Sequence, residues 1–199
     1  MAITNGYCTL AEFKAYKNID STNAADDAVI EDIIESISRR IDGEVKRHFY
    51  QVTEARYYSA SDLDMLYCDD IATTTGLEIK SSLNSDGTYS YTWATTDYNL
   101  RPYTPKTGWP YTHIEISDFG LYSFDNYKKG NKITATWGWP AIPDDIKIVC
   151  MNETMSQYLK RTGENTNTST TITSAGIVIT PQGWSKDSIQ TLEKYRKLM

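Results

Sequence analysis

Positive charge is in short supply. Lys and Arg together number 20 against 26 Asp and Glu, leaving a net charge of −6 and a pI near 5.0. A dedicated nucleic-acid binder carries a basic footprint, so that class is set aside. Histidine is scarcer still, with 2 in the chain, and the three cysteines, Cys8, Cys68 and Cys150, stand far apart with no C-x-x-C pair. An odd, scattered set implies neither a disulfide framework nor a zinc site. Free thiols fit assembly in a reducing cytosol. No stretch approaches the roughly 20 apolar residues of a membrane span. Met1 to Tyr7 has neither the basic segment nor the apolar run of a signal peptide. A nucleophile elbow, a P-loop, H-E-x-x-H and a dinucleotide fingerprint are all missing. Paired carboxylates for glycoside cleavage are a spatial property, and nothing in the sequence points to them.

Aromatic residues are what the chain has in plenty. There are 15 Tyr and 5 Trp among 199 residues, and most lie between Phe49 and Trp139, in a region also rich in Thr and Ser. Hydrophobic residues at 40% and charged residues at 23% are ordinary for a soluble globular protein. A globular chain of this length buries roughly 70% of its unfolded surface, enough for a core without disulfides or metal.

The periodicity changes twice along the chain. Thr9 and Glu12 form a T-x-x-E capping box, with Cys8 and Phe13 placed as a hydrophobic staple, and predict a short helix to about Lys17. Val29, Ile30, Ile33, Ile34, Ile37, Ile41 and Val45 recur every 3.6 residues and predict a long helix from about Asp26 to His48. Asp26 and Asp27 sit in its first turn, and Lys46 and Arg47 near its end, as the helix dipole favours. Glu35 with Arg39, and Asp42 with Lys46, are acid-to-base pairs at i,i+4. From about Val52 the period becomes two. Thr88 to Thr95 alternates Tyr89, Tyr91 and Trp93 against Thr88, Ser90 and Thr92. Gly76 to Ser82, His113 to Ile116 and Lys132 to Trp137 are further strands, and Asn84 to Gly87 supplies a hairpin turn. Pro143 then opens a third helix with Asp144 and Asp145 in its first turn. Ile148, Met151, Met155, Tyr158 and Leu159 make one stripe on it, and Ile146, Val149 and Cys150 a second. Thr162 to Thr173 reads as a polar, mobile stretch. Ile177 to Ile179 reads as one short strand, and a last helix begins near Ser185 with Ile189, Leu192, Tyr195 and Met199 on its apolar stripe.

The fold class expected is α+β, a single domain over 1–199. About four helices form a bundle from 7–50, 143–161 and 185–199. An antiparallel β-rich subdomain is inserted at 52–140, and a mobile linker spans 162–175. Residues before 50 and after 143 must meet, because neither part can bury its stripes alone.

Several residues invite sharper readings. His48 could switch with pH, but a satisfied histidine near a helix C-terminus is the plainer reading. His113, alone in a strand, is a poor metal ligand. Asp62, Asp64, Asp69 and Asp70 lack the glycine-turned calcium loop and read as a solvated loop. Arg39, Arg40, Lys46 and Arg47 interleave with Glu35 and Asp42, which favours a salt-bridged face over a DNA-facing patch. Lys128 and Lys129 precede Gly130 and Asn131 in what reads as a hairpin turn. Trp93, Trp109, Trp137 and Trp139 could form a sugar-stacking platform, so a carbohydrate-binding module is the alternative function; a small β core or a subunit contact is the plainer reading.

The order of parts carries a resemblance. Tyr7-Cys8-Thr9-Leu10-Ala11-Glu12-Phe13, then Ile33-Ile34-Glu35-Ser36 and Ile41-Asp42 closing at Arg47-His48-Phe49, resemble the first two helices of bacteriophage head–tail connector (portal adaptor, head completion) proteins. Asp97-Tyr98-Asn99-Leu100-Arg101-Pro102 and Trp109-Pro110-Tyr111-Thr112 are similar to the insert of larger members. Trp137 through Ile146 resembles the junction into the third helix. Ser174 to Ile179, with Leu192 to Arg196, is similar to the family's last strand and helix. Together these cover about two thirds of the chain; 60–75 and 165–173 match nothing in the family.

The resemblance implies a structural subunit without catalysis, cofactor or metal. It implies a ring of copies, usually twelve, that docks under the portal protein in the virion neck after assembly in the bacterial host cytoplasm. Such a ring extends the DNA channel and offers a platform to a tail or stopper protein. DNA passes without specific binding, which an acidic chain favours because like charge keeps the duplex from sticking. Portal docking is expected on Ile177, Ile179, Trp184, Ile189, Leu192, Tyr195 and Arg196, a short helix behind a mobile linker that orders on binding. Subunit contacts are expected at Tyr91, Trp93 and Trp109, since Tyr, Trp and Arg are enriched at interfaces.

Overall fold

The computed structural model describes residues 3–82, 87–118, 120, 122–162, 168–173, 176–181 and 183–197. Its helices and antiparallel sheets make the fold mixed α+β. The chain divides into two compact units, one of Met1–Lys46 with Ile142–Met199 and one of Arg47–Ala141.

In the first unit, α1 (Leu10–Lys17) starts where the capping box places it. The Thr9 hydroxyl accepts from Glu12 N–H at 3.1 Å, and the Glu12 carboxylate accepts from Thr9 N–H at 2.8 Å. Asn18, in the left-handed region at φ 54°, ends the helix. The next helix, α2 (Asp27–Val45), buries Ile30, Ile34, Ile37, Ile41 and Val45 along one stripe. It stops at Lys46, which turns left-handed at φ 59° while its N–H returns to Asp42 O at 2.9 Å. The helix is thus shorter than its charge pattern predicts, and Arg47 and His48 belong to the second unit. Asp26 is the residue before the helix, and its carboxylate makes no cap bond. It accepts from the Tyr158 hydroxyl at 2.7 Å and lies 3.4 Å from Arg161.

Those two residues lie on α3 (Asp144–Thr162). Its buried face is Ile146, Val149, Cys150, Glu153 and Thr154, an i, i+3, i+4, i+7, i+8 spacing, with Met151 buried beside it. Ile148, expected in an inward stripe, is 45% exposed. Two polar residues complete the buried face, and a count of apolar side chains passes over them. The strands β8 (Thr168–Thr173) and β9 (Gly176–Pro181) pair from Thr168 opposite Pro181 to Thr173 opposite Gly176. Residues 168–173, expected within a mobile linker, are strand because Thr-Ser-Thr-Thr-Ile-Thr is mostly β-branched, which suits a pleated surface.

The last helix, α4 (Lys186–Glu193), is capped by Ser185, whose hydroxyl accepts from Ser188 N–H at 3.1 Å. Buried Glu153 reaches the same cap, accepting from Ser185 N–H at 3.2 Å and from the Ser188 hydroxyl at 2.7 Å.

In the second unit the strands are β1 (Val52–Tyr58), β2 (Met65–Ile71), β3 (Glu78–Ser81), β4 (Tyr91–Thr92), β5 (Tyr98–Arg101), β6 (Tyr111–Ile116) and β7 (Asn131–Trp137). The antiparallel sheet runs β4-β3-β7-β2-β6-β5, and β1 also pairs with β7, from Val52 opposite Trp137 to Tyr58 opposite Asn131. The strand expected over Thr88 to Thr95 is confined to β4, because its partner β3 offers a short ladder, Lys80 with Thr92 and Ser81 with Tyr91. Of the turn expected at Asn84 to Gly87, only Gly87 lies within the described residues, at φ 76°. Leu66, Ile71, Ile79, Ile114, Ile133, Ala135 and Trp137 fill the core of this unit.

Candidate functional site

The tail helix does not stand free. Leu192 is 1% exposed and Tyr195 8%. The Tyr195 hydroxyl donates to Asp145 at 2.7 Å. Arg196 pairs with Glu44, and Lys197 N–H donates to Val45 O at 2.9 Å. The Arg40 guanidinium sits 4.6 Å from the centre of the Trp184 ring. Of the expected docking residues, Leu192 and Tyr195 are therefore core, and Arg196 and Trp184 already hold partners within the unit. Ile189, at 41% exposure, faces outward. Ile177 and Ile179 are placed on β9; their side chains lie outside the described residues. The helix was expected to order on binding; here Glu153 on α3 holds its first turn and the Tyr195 hydroxyl holds the residues after it.

The expected subunit contacts separate in the same way. Trp93 is core: its indole N–H donates to the Ser81 hydroxyl at 2.8 Å, and its ring stacks on Phe124 at 4.8 Å. Tyr91 is half-buried, 5.7 Å from the Tyr122 ring. Trp109 is half-buried against Trp139 at 4.9 Å. Trp137 and Trp139 are buried, so three of the four tryptophans of the supposed sugar platform lie inside the unit.

The acidic group at 62–70 is not one solvated loop. Asp69 and Asp70 lie on β2, where Asp69 receives Arg56 at 2.8 Å and the Tyr58 hydroxyl at 2.9 Å. Asp70 is buried, 3.4 Å from Arg47 and 3.2 Å from the Trp139 indole N–H. Burial lowers the pKa of Arg47, and the Asp70 carboxylate opposes that shift. Arg39 pairs with Asp42 at 3.2 Å and donates to Asn5 O at 2.7 Å. The His48 ring stacks on Tyr50 at 4.5 Å, with Nδ1 2.9 Å from Tyr50 O. Lys129 sits left-handed at φ 59° in a turn closed by Gly130 N–H to Tyr127 O at 3.0 Å.

One surface escaped the sequence reading. Register sets His113 on β6 opposite Tyr67 on β2 and opposite Arg101 on β5, so the three share one face across the sheet. Tyr67 is 66% exposed, its ring 5.3 Å from His113. Arg101 makes a two-pronged contact with Glu115, at 2.7 and 3.0 Å, and lies 3.6 Å from the Tyr103 ring centre. The Tyr103 hydroxyl donates to Glu115 at 2.8 Å. Arg101 and Tyr103 hold the Glu115 carboxyl below its ordinary value, and burial with the nearby Arg101 charge lowers His113. The alternation Tyr111, His113, Glu115 carries this face in the sequence, but its partners on β2 and β5 come only with register. Among the described residues no group of three His, Cys, Asp or Glu is placed to hold a metal, and no helix is long and apolar enough to cross a membrane.

The chain thus joins a helical unit to an antiparallel β unit that carries exposed aromatics and an ion-paired sheet face. No family model and no curated protein matches the sequence. Solved structures do match. The chain is similar to one in the neck of an empty gene transfer agent particle computed with C6 symmetry, at TM-score 0.57 and 16% identity, over 100% of this chain and 94% of the other. It is equally similar to one in the neck of a native gene transfer agent particle computed with C12 symmetry, at TM-score 0.57 and 15% identity, over 100% and 93%. A chain in the virion of a native gene transfer agent particle aligns at TM-score 0.53 and 16% identity, over 100% and 94%. The likeness spans both units and establishes a shared fold.

Proposed function

We propose that the chain is a structural, non-enzymatic subunit of a phage-type virion neck, a head–tail connector whose copies form a ring under the portal protein. The observation that carries this reading is the fold match over the whole chain to neck structures computed with C6 and C12 symmetry. A closed ring needs two different lateral surfaces that complement each other. The exposed Tyr67–His113–Arg101 face and the outward side chains Tyr16, Ile148 and Ile189 are available for such contacts. In this reading the four helices act as one bundle and the β unit is an insert within a single domain. The β8–β9 hairpin, with Ile177 and Ile179, and the outer side of α4 at Ile189 meet the portal. A separate surface of the ring meets a tail or stopper protein. The ring extends the channel, and the net charge of −6 keeps passing DNA from adhering.

Solution mass against concentration, with and without purified portal rings, tests the proposal. A species that joins rings when portal is added supports it. A strict monomer in both conditions that is retarded on polysaccharide gels contradicts it and returns the carbohydrate-binding alternative.

A further inference from the structure

The first unit holds a pair of thiols that sequence spacing conceals. Cys8 Sγ lies 3.7 Å from Cys150 Sγ, although 142 positions separate them. Both are buried and neither is in a disulfide. The contact is built from both sides. Tyr7 N–H donates to the Ser38 hydroxyl at 3.0 Å, which holds the segment before α1 against α2. The same Ser38 oxygen lies 3.6 Å from Cys150 Sγ. Thr9, next to Cys8, is fixed by the capping box. The two sulfurs are thus in van der Waals contact, and a sulfur–sulfur bond would close that gap to roughly 2.05 Å.

We propose that Cys8 and Cys150 are a disulfide-forming site, closed by a hydroperoxide and joining the segment before α1 to α3. The Cys8 thiol donates to Cys150 Sγ. That contact, with the Ser38 and Thr154 hydroxyls, lowers the Cys150 pKa while Cys8 is raised, so Cys150 is the thiolate that meets the oxidant. It attacks one peroxide oxygen; the O–O bond breaks, the hydroxide released takes up a proton and leaves as water, and a sulfenic acid remains. The Cys8 sulfur, giving up its proton, then attacks the Cys150 sulfur; the S–O bond breaks and a second water leaves. In sum two thiols are oxidised and one hydrogen peroxide is reduced to two waters. The cross-link spans a long loop, so it removes much freedom from the unfolded chain. A role for it in a particle outside the host cell rests on the neck reading; the site itself does not.

The test uses the full chain, folded and reduced, treated with hydrogen peroxide and then unfolded for thiol counting and peptide mapping. The free-thiol count falls from three to one, and the mapped cross-link joins the Cys8 and Cys150 peptides within one chain. Cys68→Ser leaves that cross-link intact, whereas Cys150→Ser abolishes it. A cross-link through Cys68, a cross-link between chains, sulfinic acid at Cys150 without a cross-link, or three unreacted thiols overturns the proposal. None of these outcomes bears on ring formation, so the two readings fail separately.

Discussion

Arg47 Nη1 and Asp70 Oδ2 lie 3.4 Å apart with side-chain exposures of 11% and 4%. The pair sits where both ends of the β unit meet: Gly138 N–H donates to Asp70 O at 2.8 Å, the Trp139 indole shares the carboxylate, and Phe49 packs on Trp139 at 5.1 Å. Breaking a buried pair by removing one charge leaves the other uncompensated, at about 3–5 kcal/mol. Asp70→Asn is therefore expected to lower stability by about 3 kcal/mol in denaturant titration. Adding Arg47→Met should recover part of that loss, because no lone charge is then buried.

Gly138, at φ 111°, is the glycine this junction requires. A Cβ there would run into the Tyr50 carbonyl, and L side chains are strained at positive φ. Gly138→Ala should cost more than about 1 kcal/mol, read as a lower urea midpoint with an unchanged slope.

The tail gives a pair of opposed outcomes. Leu192→Ala removes a buried side chain and should cost about 2–5 kcal/mol. Ile189→Asp, on the exposed side of the same helix, should leave the urea midpoint within about 0.5 kcal/mol of the parent while weakening portal capture in a pull-down. Deleting 185–199 should then destabilise the unit as well as block docking, since Glu153 loses both partners at the α4 cap.

Stability should fall in alkali. Burial, with Asp69 beside Tyr58 and Asp145 beside Tyr195, raises both phenols above their ordinary value of 10.0. Above that value the unfolded chain releases these protons while the folded chain keeps them. The unfolded state then binds fewer protons, so stability is full below pH 10.0 and declines as pH rises beyond it. Urea midpoints taken between about pH 9 and pH 11 should show this slope, and it should be shallower in Tyr58→Phe with Tyr195→Phe.

Local signals were legible where one segment carries its own pattern. The Thr9–Glu12 box, the Ile30 to Val45 stripe and the Pro143 start each depend on neighbours within a few residues. What needed distant partners was hidden. Asp70 reads as one of four loop acids until Arg47 closes on it. Glu153 is absent from any apolar stripe, and its place in the buried face follows only from the α4 cap it holds. Trp93 reads equally as β core or as subunit contact until Phe124 stacks on it. The Tyr67–His113–Arg101 row appears only when three strands take their register. The Cys8–Cys150 pair depends on a helix contact that spacing does not encode. Leu192 and Tyr195, expected to meet the portal, are buried within the helical unit, a packing that an apolar stripe alone does not distinguish from an outward one.

Electron cryomicroscopy of the chain bound to purified portal rings tests the neck assignment most directly. The account predicts a coaxial ring beneath the portal with twelve copies, matching the C12 symmetry of the similar neck structure. A chain that stays monomeric beside bare portals, or that binds away from the channel axis, contradicts it.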